Sequence, residues 1–300
     1  MPLSDPTINT LSGASSGLIV SVVMSPLDVV KTRIQVHRLP KGVPGKPIYR
    51  TFYNLYQQEG IRAFYKGLTT TLLAYIPNWA IYFTAYQYAK TKCSQTFPNQ
   101  NDNVINILSS VSAGAVCNIL TAPLWTVRTR MQTQHGYDDY KNTFDAFKKI
   151  SSNEGTKALF RGVVPSMFGL VHVGIQFPLY EYIKKQETVL TQSKELSASQ
   201  VFVASASSKV IASVIAYPHE VVRSRLQDAG HAQKTQDGVV AKATFQPYKG
   251  FSDAVRTIWR QEGVRGFYQG MGTNLIRTVP SAVVTLSSYE FVKKLLSKID

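Results

Sequence analysis

The chain has 300 residues, with 33 Lys and Arg against 18 Asp and Glu, and the resulting net charge of +15 points to an anionic partner: nucleic acid, anionic lipid or a phosphorylated small molecule. Two cysteines, Cys93 and Cys117, exclude a disulfide framework and a cysteine metal site. Mean hydropathy is −0.08, the value of a soluble protein, and the opening MPLSDPTINT shows neither a secretory signal pattern nor an Arg-rich transit peptide.

The first element is an apolar run, Leu11–Met24, whose GASSG stretch (Gly13 to Gly17) has the small-residue spacing that permits close helix approach. It ends in PLDVVKTRIQ, Pro26 to Gln35, where a proline is followed by Asp28, Lys31 and Arg33. Bases continue through Arg38, Lys41, Lys46 and Arg50. FYNLYQQEG (Phe52 to Gly60) then spaces its apolar residues three or four apart and stops at glycine, as a short amphipathic helix does. A second apolar run spans Leu68–Tyr86. The order then repeats. Ile105–Ala122 leads into PLWTVRTRMQ at Pro123, FDAFKKISSNEG and Val163–Tyr180. Val201–Tyr217 leads into PHEVVRSRLQ at Pro218, FSDAVRTIWRQEG and Met271–Tyr289. Only the third unit carries a longer polar insert, about Asp228 to Gln246, read as a flexible loop.

The prolines lie 97 and 95 residues apart. Each is followed at fixed distances by two bases (Lys31/Arg33, Arg128/Arg130, Arg223/Arg225) and a glutamine (Gln35, Gln132, Gln227). A second mark recurs as EGIRAFYKG, EGTKALFRG and EGVRGFYQG, and a third as YQYAK, YEYIK and YEFVK. Three linked marks in three copies identify three repeats, 1–97, 98–194 and 195–300, packed about a pseudo-threefold axis. Each apolar run, with its flanks, is close to the roughly 20 residues that cross a bilayer. The expected fold class is therefore an all-α membrane protein with six transmembrane helices in three tandem two-helix repeats, both termini on one side. Lys209 and Arg277 are the full charges inside these runs. The Ser, Thr, Asn and Gln among them lower the hydropathy and suit a water-filled cavity. The amphipathic segments lie at the interface on the basic side, which the charge bias marks as the inner side.

Proline, any residue, acid, two residues, base, any residue, base, three times over, resembles the mitochondrial carrier family, and the resemblance covers essentially the whole chain. It implies an inner-membrane transporter with a central cavity and two alternating gates. At the matrix gate it implies that Asp28 pairs with Arg128 and Glu220 with Lys31, while Gln35, Gln132 and Gln227 brace the pairs. At the cytoplasmic gate it implies Glu181 with Lys293 and Glu290 with Lys90. Two positions depart from the pattern. Trp125 replaces an acid and leaves Arg223 without its expected partner, or else is a packing residue; Gln87 replaces another acid beside Lys184. With fewer pairs, both gates open more easily.

Counting back from Gln87, Glu181 and Glu290 reaches membrane depth at Asn78, His172 and Ser281, at Tyr82, Gln176 and Thr285, and at Ala74/Tyr75, Phe168/Gly169 and Arg277/Thr278. Arg277 is the informative residue: a guanidinium mid-span is costly and suits a phosphate or carboxylate, and no acid on a neighbouring helix is an obvious partner. Asn78 and Gln176 can read the edge of a base, Trp79 and Tyr82 can stack on a ring, and Gly169 leaves room for a flat group. His172 is either a ligand or a hydrogen-bonded core histidine. The layer favours a large, planar, anionic substrate such as a nucleotide.

PNWAIYF, FGLVHVGIQFPLYE and NLIRTVPSAVVTLSSYE, with Trp125, resemble the branch carrying pyrimidine nucleotides, flavin, folate and nicotinamide dinucleotides, and most of all the fungal NAD carriers. The resemblance implies NAD import into the matrix by exchange with another nucleotide, with pyrimidine nucleotide, FAD or folate as alternative cargo. It also implies the mitochondrial inner membrane. The amphipathic basic segments suit cardiolipin headgroups, a single chain holds the full threefold set and so can function as a monomer with oligomeric state open, and no cofactor is expected. No nucleophile–base set, phosphate loop or metal spacing supports an enzyme. The bases flank apolar spans instead of forming one aromatic-interleaved face, which argues against nucleic acid.

Overall fold

The computed structural model describes residues 5–37, 48–98, 100–134, 139–191, 198–229 and 248–297. Every regular element among them is helical: α1 (Asp5–Val36), α2 (Ile48–Glu59), α3 (Leu68–Thr96), α4 (Asp102–Thr133), α5 (Thr143–Glu154), α6 (Val163–Thr191), α7 (Ala198–Asp228), α8 (Phe251–Glu262) and α9 (Met271–Leu296). A five-residue 3-10 turn follows each of α2, α5 and α8. The pattern long, short, long occurs three times, as the repeats require. Arg38, Lys41, Lys46 and most of the insert, 230–246, lie outside the described residues.

The six long helices have 26 to 32 residues, roughly 40–50 Å at the α-helical rise. Three stretches among the described residues are long and apolar enough to cross a membrane by composition: Ser12–Val36, Asp102–Thr133 and Thr156–Thr188. The other long helices, α3, α7 and α9, reach similar length with more Ser, Thr, Tyr and charge, including Lys209 and Arg277. Pro26, Pro123 and Pro218 lie inside continuous helices, so the charged motif after each proline is the helix's own last turns. A proline removes one backbone donor and need not end a helix whose next turns are held by tertiary contacts.

The repeats interlock. The most extensive packing joins α3 to α4, α6 to α7 and α9 to α1, so the second long helix of each repeat lies on the first of the next and the last closes on α1. The odd helices α1, α4 and α7 also touch one another. Apolar packing is divided into three small clusters, each sealing a short helix onto the end of its own odd helix. Val29, Ile34, Leu55 and Phe64 form the first, Val127, Met131, Ile150 and Leu159 the second, and Val222, Leu226, Ile258 and Phe267 the third. Large apolar side chains stay exposed along the long helices, Leu18, Ile76, Leu120, Val171 and Leu286 among them, as lipid contact requires. The GASSG stretch makes no close approach: a Cβ on Gly13 or Gly17 would meet nothing within 4 Å. The close helix contact falls instead at Gly114, against Leu170.

Caps fix the short helices. Asn142 accepts from the Asp145 amide (2.9 Å) and Asp145 from that of Lys141 (2.9 Å) at α5, and Asp253 accepts from the Lys249 amide (2.9 Å) at α8. The last glycine of each second mark starts the next long helix. Gly67 and Gly270 do so at φ 76° and 79°, a left-handed conformation. A Cβ on Gly67 would stand 3.0 Å from Gln132 and 3.1 Å from the Arg128 carbonyl, and on Gly270 3.1 Å from Gln35. The motif glycines are therefore where one repeat sits on the glutamine of the next.

Candidate functional site: two layers where the odd helices meet

The lower layer is built by the second base of each motif. Arg33 forks onto Glu59 (2.5 and 3.0 Å) and donates to the carbonyls of Gln132 (2.9 Å) and Gln134 (2.8 Å) at the end of α4. Arg130 binds Glu154 and the carbonyls of Gln227 (2.9 Å) and Ala229 (2.7 Å) at the end of α7. Arg225 binds Glu262 and the carbonyls of Gln35 (2.9 Å) and His37 (3.3 Å) at the end of α1. Each guanidinium thus satisfies orphan carbonyls and opposes the helix dipole of the following repeat. Lys66, Arg161 and Gln269 add a further donor to Glu59, Glu154 and Glu262. At Glu154 burial pushes the carboxyl pKa up, but Arg130 and then Arg161 hold it below the ordinary range. The six residues Arg33, Arg130, Arg225, Glu59, Glu154 and Glu262 were not expected as a site. The signal was present, because both marks carry them three times.

The motif glutamines do not brace ion pairs. Gln132 accepts from Thr32 (2.8 Å), Gln227 from Thr129 (2.8 Å) and Gln35 from Ser224 (2.8 Å), and Gln35 also donates to the Tyr217 hydroxyl (2.9 Å). This corrects the expectation. The hydroxyl lies between the two bases of each motif, on the helix face nearest the neighbouring glutamine, whereas the first base points higher.

The upper layer contains the expected cross-repeat pairs. Lys31 meets Glu220 at 2.6 Å and Arg128 meets Asp28 at 3.2 Å. Lys31 also donates to Asn274 (2.8 Å). In place of the acid that Arg223 lacks, the Trp125 ring lies 5.9 Å from its guanidinium and 5.4 Å from that of Arg128, and Trp125 Nε1 donates to Thr121 (3.1 Å). One expectation changes here. Arg277 does have an acidic partner, Asp28, which therefore serves two guanidiniums. α9 packs on α1, and this brings together residues 249 apart in sequence.

Arg225 and Glu262 are 1% and 3% exposed, and breaking a pair so buried costs about 3–5 kcal/mol. In the upper layer Glu220 is 34% exposed and its partner Lys31 13%, so this pair lies between that buried case and a pair open to water, which contributes on the order of 1 kcal/mol or less. The most buried pair is in the lower layer and the most exposed carboxylate in the upper one.

At the opposite end Gln87, Lys90, Glu181, Lys184, Glu290 and Lys293 are all exposed. Among the described residues no ion pair joins Glu181 to Lys293 or Glu290 to Lys90. Lys90 and Lys184 lie over the tyrosine rings one turn back, Tyr86 and Tyr180, each at 5.9 Å. Ion pairs between repeats thus occur at one end and, among the described residues, none joins the expected partners at the other.

Between the ends, Asn78 is half-buried and turns its oxygens to α4, accepting from Cys117 (3.3 Å) and lying 3.5 Å from the Thr121 hydroxyl. Trp79 stacks on Phe83 (5.6 Å) and meets Tyr82 edge-on (6.3 Å). His172 is within 3.4 Å of Ser213, and Gln176 is half-buried. Gly169 leaves no room for a flat group: the space above it holds the His219 ring, 2.9 Å from where a Cβ would stand. His219 follows the third proline on α7, the helix that packs against α6, and so fills that seam.

The sequence profile of the family described as "Mitochondrial carrier protein" matches residues 4–96, 99–188 and 194–300. Among curated relatives, "Nicotinamide adenine dinucleotide transporter 1, chloroplastic" of Arabidopsis thaliana is 40% identical, covering 96% of this chain and 91% of its own length. "Mitochondrial nicotinamide adenine dinucleotide transporter 1" of Saccharomyces cerevisiae is 37% identical, covering 100% of this chain and 80% of its own length. "Solute carrier family 25 member 33" of Mus musculus is 32% identical, covering 97% and 96%. With three family matches on three helical repeats, the long helices α1, α3, α4, α6, α7 and α9 are the six of a carrier fold, and the chain belongs to the mitochondrial carrier family.

Proposed function

We propose that this protein carries nicotinamide adenine dinucleotide across the mitochondrial inner membrane into the matrix, in exchange for another nucleotide. Cargo alternates between an upper layer that opens to the matrix and an outer gate of Gln87, Lys90, Glu181, Lys184, Glu290 and Lys293. The observation that carries this reading is Arg277, a guanidinium inside a membrane-depth helix, 33% exposed and joined to the closed layer through Asp28. The relatives' names supply the choice of cargo. Asn78, Trp79, Tyr82, His172 and Gln176 line the route at the depth of the bilayer. Gly169 belongs to it as a packing position beneath His219.

The basic end faces the matrix, where α2, α5 and α8 lie at the lipid interface. Exposed Tyr49, Phe144 and Trp259 alternate there with Arg62, Lys157 and Arg265, a surface suited to an anionic lipid such as cardiolipin. One chain closes the ring α9 to α1, which supports a monomer as the working unit.

The test is uptake of labelled NAD into liposomes carrying the purified protein, preloaded with AMP, a pyrimidine triphosphate, FAD or nothing. Saturable NAD uptake that requires a nucleotide preload is the expected outcome. Pyrimidine nucleotide or flavin exchange without NAD uptake would reassign the cargo.

A further inference from the structure

The upper layer is short of negative charge. Lys31, Arg128, Arg223 and Arg277 bring four positive charges, and Asp28 and Glu220 bring two negative ones, an excess of two. In the lower layer Lys66 and Arg161 are also cations in excess of the three glutamates, but there each cation lies on a glutamate and on the carbonyls of a helix C-terminus, which meet the surplus. Trp125 accounts for one of the two missing charges, and Arg277, a cation added from α9, for the other. Trp125 stands where repeat symmetry places the third acid, and its ring presents two guanidiniums with a quadrupole, not a charge. Asp28 is shared between Arg128 and Arg277, so each has half a counter-ion. Arg277 keeps unused capacity: its Nε is buried without a hydrogen-bond partner, and a third of the side chain is exposed.

We propose that the cargo supplies the two missing charges. The site selects a dianion whose charge is carried on phosphate oxygens, and the cargo settles above Trp125 as counter-ion to Arg277, Arg128 and Arg223. It takes Arg277 from Asp28 as it binds. This rests on the carrier reading of the cavity and narrows its cargo. A dinucleotide bridged by a diphosphate carries two such charges at its middle, and Arg binds phosphate oxygens through paired N–H donors. Trp125 and Asp28 are specificity-determining positions on this account, Trp125 by withholding a carboxylate and Asp28 by competing for Arg277.

Charge, and not size, is isolated by comparing Trp125→Asp with Trp125→Asn. Binding is read without turnover, from the ligand-dependent rise in the melting temperature of the full-length protein titrated with NAD, ADP and inorganic pyrophosphate. Trp125→Asp weakens binding of each by about tenfold or more relative to Trp125→Asn, since a unit charge at ion-pair distance acts strongly at a partly buried site. Asp28→Asn removes a competing carboxylate and tightens binding by about the same factor. It also keeps the test decisive should Trp125→Asp fail to fold. Equal affinities in the two Trp125 variants, or weaker binding in Asp28→Asn, overturn the proposal. Liposome uptake separates it from the reading beneath it. NAD uptake with equal half-saturation in both Trp125 variants keeps the NAD carrier and sinks the charge argument. Protection by ADP and pyrophosphate that splits the two variants, without any response to NAD, keeps the charge argument and sinks NAD.

Discussion

Arg277 joins two tasks in one side chain. Its guanidinium holds Asp28 while the layer is closed, and its open donors are suited to an anion. Arg277→Ala is expected to abolish NAD uptake, and its melting temperature should stay within a few degrees of the parent, because the lost pair is partly exposed. Uptake at the parent rate would remove Arg277 from the cargo route. The sequence singled out this residue because a mid-span arginine is rare, yet its partner was not legible. Asp28 had already been matched to Arg128 by the repeat pattern, and a pattern that pairs motif with motif has no place for a third contact from α9. Trp125 shows the same limit: the missing acid could be read, but not the ring face that replaces it. Gly169 was misread because absence of a side chain was taken for empty space, whereas His219 from the next helix occupies it.

At the scale of the helix, each short amphipathic element is fastened twice, by its apolar face and by a glutamate at its end. Glu262 is the most deeply buried of the three pairing glutamates, and Glu262→Ala leaves the Arg225 charge uncompensated. The expected loss is about 3–5 kcal/mol, seen as a marked fall in the melting temperature of purified protein. A fall of less than a degree would show that the carbonyls at the end of α1 hold Arg225 without the acid. Element type and order were legible throughout, because apolar period, glycine stops and repeat spacing all point the same way. Helix ends were less so. The apolar runs stop at proline, but the helices continue to Val36, Thr133 and Asp228, held by the short helix of their own repeat and by an arginine from a neighbouring one.

For the whole molecule the asymmetry between the ends is the main result. The hydroxyl–glutamine ring, the ion pairs and the arginine brace all close one end, while the six outer residues stand in solvent. In a background with Cys93→Ser and Cys117→Ala, Glu290→Cys and Glu181→Cys are expected to react readily with a membrane-impermeant thiol reagent added from the cytoplasmic side. Thr129→Cys, within the ring, should be protected from the same reagent. Comparable labelling of all three would mean that the closed end does not seal. Pseudo-threefold order was legible from the marks alone, but the direction of interlock was not. Spacing says that repeats match and is silent on which one receives the other's arginine.

That direction has a consequence for how the protein is made. Arg33 completes the end of α4, Arg130 that of α7, and Arg225 that of α1. The carbonyls at the end of α1 therefore wait for a guanidinium that lies 190 residues later in the chain, and the ring of three caps closes only when the third repeat is present.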